Sequence, residues 1–142
     1  MITLEQYFMG HERDPAYGNY LTPDIRDNAA RLLPVVNGLL LLAHKNGVLL
    51  YTNPKTKSLV SSGWRPPAVN ASTPGAAPNS LHMICRAIDI YDPEGDLDEW
   101  LVGVTHTYLT GMGLWLEHPA ATKGWAHLQD KAPRSGRRVF YP

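Results

Sequence analysis

The sequence contains a single cysteine, Cys85, and no excess of charge of either sign. One cysteine excludes an intrachain disulfide and any zinc module built from several cysteines. Thirteen Lys and Arg residues balance thirteen Asp and Glu residues, whereas a protein that binds nucleic-acid phosphate normally carries a clear basic excess. We therefore expect neither a disulfide scaffold nor a nucleic-acid-binding protein.

Long apolar runs are also missing. The most apolar stretch, residues 34–42, is interrupted by Asn37 and Gly38 and falls well short of the roughly 20 residues that a membrane helix needs. The N-terminus lacks the basic start and apolar core of a secretory signal. We expect a soluble protein that is made in the cytoplasm without a signal peptide and does not bind membranes.

The composition that is present suits one compact domain. The 142 residues are 44% hydrophobic and 18% charged, which is typical of a globular chain, and the length fits one domain rather than two. We predict a single domain over residues 1–142, with an irregular N-terminal arm at residues 1–21 and a basic C-terminal tail at residues 131–142. The tail is either solvated, with Phe140 and Tyr141 packed on the body, or attracted to an anionic wall or a partner.

Two stretches have apolar residues at helical spacing. The first, residues 22–46, begins with a hydroxyl cap and a proline at the first helical position. Because Pro34 lies inside it, we predict one bent helix in preference to two. The second runs over residues 97–109 and ends at Gly111.

Short strands are predicted at residues 47–51, 58–62, 86–91, 114–117 and 125–129, and the last two are expected to pair. Residues 66–79 hold four prolines and no periodicity, which predicts a long irregular loop of the kind that is often functional. The sequence therefore predicts an α+β domain, with two main helices against a small, largely antiparallel sheet.

Three residues are candidate metal ligands: His82, Asp89 and His127. A tight turn or bulge before a strand can bring His82 close to Asp89. Asp89 lies in an otherwise apolar strand, and a buried carboxylate needs a cation or strong donors. Imidazole nitrogens and carboxylate oxygens are both zinc ligands, and His127 offers the third. An ordinary surface or core role is the alternative for each histidine.

These residues belong to a larger pattern. It consists of SSGWRP at residues 61–66, SLHMICRAID at residues 80–89 and GWAHLQ at residues 124–129. In this order the blocks resemble the zinc D-Ala-D-Ala carboxypeptidase-like peptidases, which include bacterial carboxypeptidases, vancomycin-resistance dipeptidases and many bacteriophage endolysins. The resemblance implies a hedgehog/DD-peptidase-like fold and Zn²⁺ held by the three candidate ligands.

The same resemblance implies that Arg65 grips the carbonyl or terminal carboxylate of the substrate. A structural salt bridge or a loop clasp is the alternative for Arg65. Ser80 and Asn70 are further candidate substrate-binding residues.

The chain departs from the family pattern at two positions. Cys85 stands where the family usually has glycine, and is either strained at positive φ or a small buried filler. Gly124 stands where many members carry an acidic general base, three residues before the last histidine. Glu117, on the preceding strand, is our candidate for the base; a solvated strand carboxylate is the other interpretation. Asp92 or Glu94 would be the next acids to consider.

The sequence therefore predicts a zinc metallopeptidase that hydrolyses amide bonds in the peptide stems of peptidoglycan. It would act as a D-Ala-D-Ala carboxypeptidase or an L-Ala-D-Glu-type endopeptidase. As a phage or prophage lysin it would reach the wall after release through a holin pore, or in a virion with other virion proteins as partners. The alternative is a catalytically inactive structural or binding module of the same fold, as in hedgehog signalling domains. Gly124 and Cys85 favour that alternative.

Overall fold

One five-stranded sheet organises the chain, and the computed structural model describes all 142 residues. The strands are β1 (Val60–Ser62), β2 (Ala87–Asp92), β3 (Trp115–Glu117), β4 (Gly124–Gln129) and β5 (Val139–Phe140), in the order β1-β2-β4-β3-β5. All neighbouring strands are antiparallel except β3 and β5, which are parallel. The predicted α+β class with a largely antiparallel sheet is confirmed.

The helices are α1 (Leu4–Phe8), α2 (Pro23–Lys45), α3 (Pro67–Ser72), α4 (Asp96–Gly103) and α5 (Thr110–Met112). Short 3₁₀ turns lie at His11–Arg13, Gly18–Tyr20, Leu81–Ile84 and Pro119–Ala121, and a π turn spans Thr105–Leu109. The Thr22 hydroxyl caps α2 by accepting from the Ile25 amide. Pro34 lies inside α2 without dividing it, so the prediction of a single helix is confirmed.

The alternation of β2 and β4 separates the core from the functional face. Ile88 and Ile90 of β2, with Ala126 and Leu128 of β4, belong to the same buried cluster as the apolar face of α2. Successive residues of a strand point to opposite faces of the sheet. Odd-numbered residues of both strands therefore point to the other face.

The N-terminal arm is not irregular, and that prediction is wrong. A capping box starts α1: the Thr3 hydroxyl accepts from the Gln6 amide, while the Gln6 side chain accepts from the Thr3 amide. Tyr7 is fully buried, and its hydroxyl donates to the Ala87 carbonyl of β2 at 2.9 Å. A five-residue helix is too short to show helical periodicity in the sequence. It is stable because it packs against the rest of the fold.

Two strand predictions and one loop prediction also need correction. Residues 47–51 form no strand; Val48 and Leu50 pack against the core, but no neighbouring strand pairs with them. Residues 58–62 keep only the three residues of β1. Residues 66–79 are not wholly irregular, because α3 starts at Pro67, where a missing N–H costs nothing.

The second helical stretch and the tail differ from expectation as well. Residues 96–112 form α4, a π turn and α5 in succession, and the stretch ends at Gly113 rather than Gly111. Within residues 131–142, β5 joins the sheet edge, where the His118 amide donates to the Phe140 carbonyl at 2.6 Å. Phe140 is buried, whereas Tyr141 is exposed and stacks on the His118 ring.

Cys85 occupies the left-handed region that favours glycine, with φ 57° and ψ 36°, and its side chain is fully buried. We expect Cys85→Gly to be more stable than Cys85→Ala by about 0.5–1 kcal/mol, because both lose the sulfur but only glycine escapes the left-handed penalty. Urea unfolding of the two variants measures the difference. Equal stability, or a more stable alanine variant, would contradict the expected strain.

Candidate metal centre

A row of polar residues crosses the sheet on the face opposite the core. Asp89 of β2 lies opposite Ser62 of β1 and opposite His127 of β4. The β3–β4 pairing joins Trp115 to Gln129 and Leu116 to Leu128, and the next step of that register sets Glu117 opposite His127. Directly paired residues share a face of the sheet. The sheet therefore presents Asp89, His127 and Glu117 side by side.

His82 reaches this row from the 3₁₀ turn before β2. The Ser80 hydroxyl caps the turn by accepting from the His82 amide. The His82 ring is 1% exposed, and its Nδ1 lies 2.8 Å from the Gly63 carbonyl oxygen, to which it donates. Its Nε2 has no hydrogen-bond partner and lies 3.3 Å from Asp89 Oδ1. A buried, unpartnered ring nitrogen is thus directed at the carboxylate.

Asp89 and His127 complete the cluster. Asp89 Oδ1 lies 2.8 Å from His127 Nδ1, and His127 Nε2 lies 3.1 Å from Gln129 Oε1. Burial acts to raise the pKa of Asp89, but the charge on His82 and the hydrogen bond from His127 hold it well below its ordinary value. Burial acts to lower the pKa of His127, yet its hydrogen bond with Asp89 raises it overall.

The three residues fit a zinc ion. One ligand atom from each of His82, Asp89 and His127 lies within 4.8 Å of the others, and all three residues are buried. Two imidazoles and a carboxylate form a donor set that suits Zn²⁺ and leaves a fourth position open. The unpartnered His82 Nε2 is accounted for if it ligates a metal, since buried polar atoms otherwise have partners.

Glu117 borders the same cavity as the three ligand candidates. The cavity has a volume of about 660 Å³. Glu117 Oε2 lies 3.9 Å from His127 Nδ1, and the side chain is 18% exposed. Burial, assisted by the charge of Asp89, raises the pKa of Glu117 although His127 acts against it. Apart from Asp89, Glu117 is the only acidic side chain among the lining residues.

Arg65 and Ser80 line the cavity beside His82. The Arg65 amide donates to the His82 carbonyl at 3.2 Å, and its Nη2 donates to the Ser80 hydroxyl at 3.2 Å. Burial lowers the pKa of Arg65, and its buried Nε has no hydrogen-bond partner. Arg65 therefore clasps the turn with one guanidinium nitrogen while its side chain lines the cavity.

Comparison with known protein families shows which family this chain belongs to. The sequence model of the peptidase M15 family matches residues 51–129, more than half of the chain. The chain belongs to the peptidase M15 family. This region contains the three ligand candidates, Arg65 and Glu117, and the family is zinc-dependent in general, so its membership supports zinc metallopeptidase activity. No curated protein and no solved structure matches the chain.

The structure explains why this M15 chain lacks an acid at Gly124. Gly124 has φ 97°, a conformation that other residues rarely adopt. Asp92 lies opposite it, and the Asp92 carboxylate accepts from the Leu97 and Asp98 amides at the start of α4. Asp92 and Glu94 line a separate cavity of about 360 Å³. Neither acid borders the cavity that holds the ligand candidates.

Asn70 is the one predicted site residue that does not line the main cavity. It is buried in α3, and its amide donates to the Ala77 carbonyl at 2.9 Å. Its side chain thus fixes the loop that forms one wall of the cavity, and does not itself face the space available to a substrate.

Gln129 and Trp125 line the cavity but were not singled out by the sequence. Both stand two residues from His127 on β4, and the strand period of two could have identified them.

The structure contains no helix with the length and apolarity required to cross a membrane.

Proposed function

We propose that this M15 chain is a zinc metallopeptidase that hydrolyses amide bonds in the stem peptides of peptidoglycan. The observation that carries the proposal is the buried His82–Asp89–His127 group with the Glu117 carboxylate in the same cavity. A binding module would need only the three ligands, whereas amide hydrolysis also needs an acid beside them to move the proton of the attacking water. The position of Glu117 therefore favours the enzyme over the inactive module.

The cavity residues have separable roles in amide hydrolysis. His82, Asp89 and His127 would hold zinc, which when bound acidifies water and polarises a carbonyl. Glu117 accepts the proton of the attacking water and returns it to the leaving amine; its raised pKa suits both steps. The guanidinium of Arg65 donates to the developing oxyanion or to a substrate carboxylate.

The lining of the cavity supports a stem peptide as substrate. One wall consists of small, uncharged residues, namely Thr73, Pro74, Gly75, Ala76 and Ala77. Such a wall accommodates alanine side chains close to the backbone. Arg65 is the only Lys or Arg among the lining residues. It suits the terminal carboxylate of D-Ala-D-Ala or the carboxylate of D-Glu equally well.

A phage or prophage lysin is the biological setting that we propose for this activity. The support is the resemblance of the sequence blocks to phage endolysins. In that setting the enzyme would act on the wall after release from the host cytoplasm, or as a virion component with other virion proteins as partners.

Defined substrates test the proposal. We expect the purified protein to hydrolyse either a stem pentapeptide ending in D-Ala-D-Ala or a muropeptide containing the L-Ala-D-Glu bond, as followed by mass spectrometry of the products. A chelator should abolish hydrolysis, and added Zn²⁺ should restore it. Zinc binding without cleavage of either peptide or of purified cell wall would instead establish the inactive module.

A further inference from the structure

We propose that Gln129 is a positioning residue that fixes the orientation and tautomer of His127, so that Nδ1 of this ring is the metal-ligating atom. The inference rests on the metal site of the proposed function and assigns a task to a residue outside the ligand group.

The contacts of Gln129 determine which end of its amide faces His127. The side chain is 6% exposed, and its Nε2 donates to the Lys131 carbonyl at 2.6 Å. An amide nitrogen has no acceptor capacity, so the end facing the Lys131 carbonyl must be the donor. Oε1 is therefore the end that lies 3.1 Å from His127 Nε2. It accepts a hydrogen bond, and His127 Nε2 carries the hydrogen.

With its hydrogen on Nε2, the neutral ring offers Nδ1 to a metal in place of the proton that Nδ1 otherwise shares with Asp89. His127 Nδ1 lies 2.8 Å from Asp89 Oδ1, the same oxygen that lies 3.3 Å from His82 Nε2. In His82 the Gly63 carbonyl takes the Nδ1 hydrogen and leaves Nε2 for the metal. The two rings thus present opposite nitrogens, each fixed by an oxygen acceptor on its far side.

The surroundings of Gln129 hold this acceptor in place. Gln129 lies two residues beyond His127 on β4, on the same face, with strands on both sides. The following residue, Asp130, is anchored by Arg86, which donates to its carboxylate at 2.7 Å and to its carbonyl at 2.9 Å. The Lys131 carbonyl that orients the Gln129 amide is therefore attached to a fixed strand end.

Two substitutions separate positioning from packing. Gln129→Leu keeps the approximate volume and removes the acceptor, so we expect zinc affinity to fall about 10- to 100-fold in competition with a chromophoric chelator. Gln129→Glu keeps an acceptor for His127 Nε2 but loses the donor to the Lys131 carbonyl, so its zinc affinity should lie between those of Gln129→Leu and the unmodified protein. Gln6→Leu, the same change in the α1 capping box, is the matched control and should leave zinc affinity unchanged.

Long-range ¹H–¹⁵N NMR of the unmodified protein loaded with zinc gives a readout that does not depend on a variant folding. We expect the hydrogen of His127 on Nε2 and that of His82 on Nδ1. A hydrogen on His127 Nδ1, or equal zinc affinities for Gln129→Leu and Gln129→Glu, would overturn the inference and leave the proposed function intact. Failure of the unmodified protein to bind zinc would overturn both.

Discussion

Replacing His127 with alanine is expected to abolish zinc binding and peptide hydrolysis together, and His82→Ala should do the same. Each substitution removes one of three protein ligands, and two ligands do not hold zinc in a tetrahedral site. Both variants should still fold, because α2 and the opposite face of the sheet form the core. Elemental analysis of the purified variants and hydrolysis of the stem peptide measure the two effects.

The controls for the ligand variants come from the same chain. His106→Ala changes an exposed histidine in the π turn and should leave one zinc per chain and full activity. Asp89→Ala should lose zinc and also some stability, because its removal leaves two buried imidazoles without their shared carboxylate partner. Full zinc content in His127→Ala would contradict the proposed ligand set.

Sequence patterns predicted those elements whose structure is determined by neighbouring residues in the chain. The cap at Thr22 and the apolar spacing that follows it identify α2, and the run from residue 86 to residue 91 identifies β2 to within one residue. The three ligand candidates were found because metal ligands are limited to a few residue types and because the blocks around them resemble known peptidases. Their convergence within 4.8 Å is a property of the fold.

The elements that the sequence did not predict depend on distant contacts. The helix α1 is held by burial of Tyr7 against β2, some 80 residues further along the chain. The strand β5 has only two residues and exists because β3 offers it a free edge. The strand period places Gln129 on the same face as His127, but the contact of its amide with the Lys131 carbonyl, which orients it toward the ring, is a property of the fold. None of these contacts leaves a periodic signal in the sequence.

The strand register that positions Glu117 could likewise not be predicted from the sequence. A slip of one residue between β3 and β4 would turn its carboxylate to the core face of the sheet. The actual register brings it to 3.9 Å from His127 Nδ1. Gly124, three residues before His127, has a backbone conformation suited to glycine. In this chain the acidic side chain closest to His127, apart from Asp89, therefore stands on the neighbouring strand.

Glu117→Gln should consequently lower kcat for stem-peptide hydrolysis by roughly 10²- to 10⁴-fold, the usual contribution of a general base. The amide has nearly the same shape as the carboxylate but cannot accept the proton of the attacking water. Zinc content, KM and the unfolding midpoint should change little, since Glu117 is not among the three ligand candidates.

Glu99→Gln is the matched control, because Glu99 is exposed and borders only the smaller, separate cavity; its activity should equal that of the unmodified protein. If Glu117→Gln kept full activity, Glu117 would not be the base, and no other Asp or Glu side chain that lines the cavity could replace it, because Asp89 is committed to the two histidines. If it lost zinc as well as activity, Glu117 would act as a fourth ligand. The combination of retained zinc, retained KM and a large loss of kcat is the result that only proton transfer by Glu117 explains.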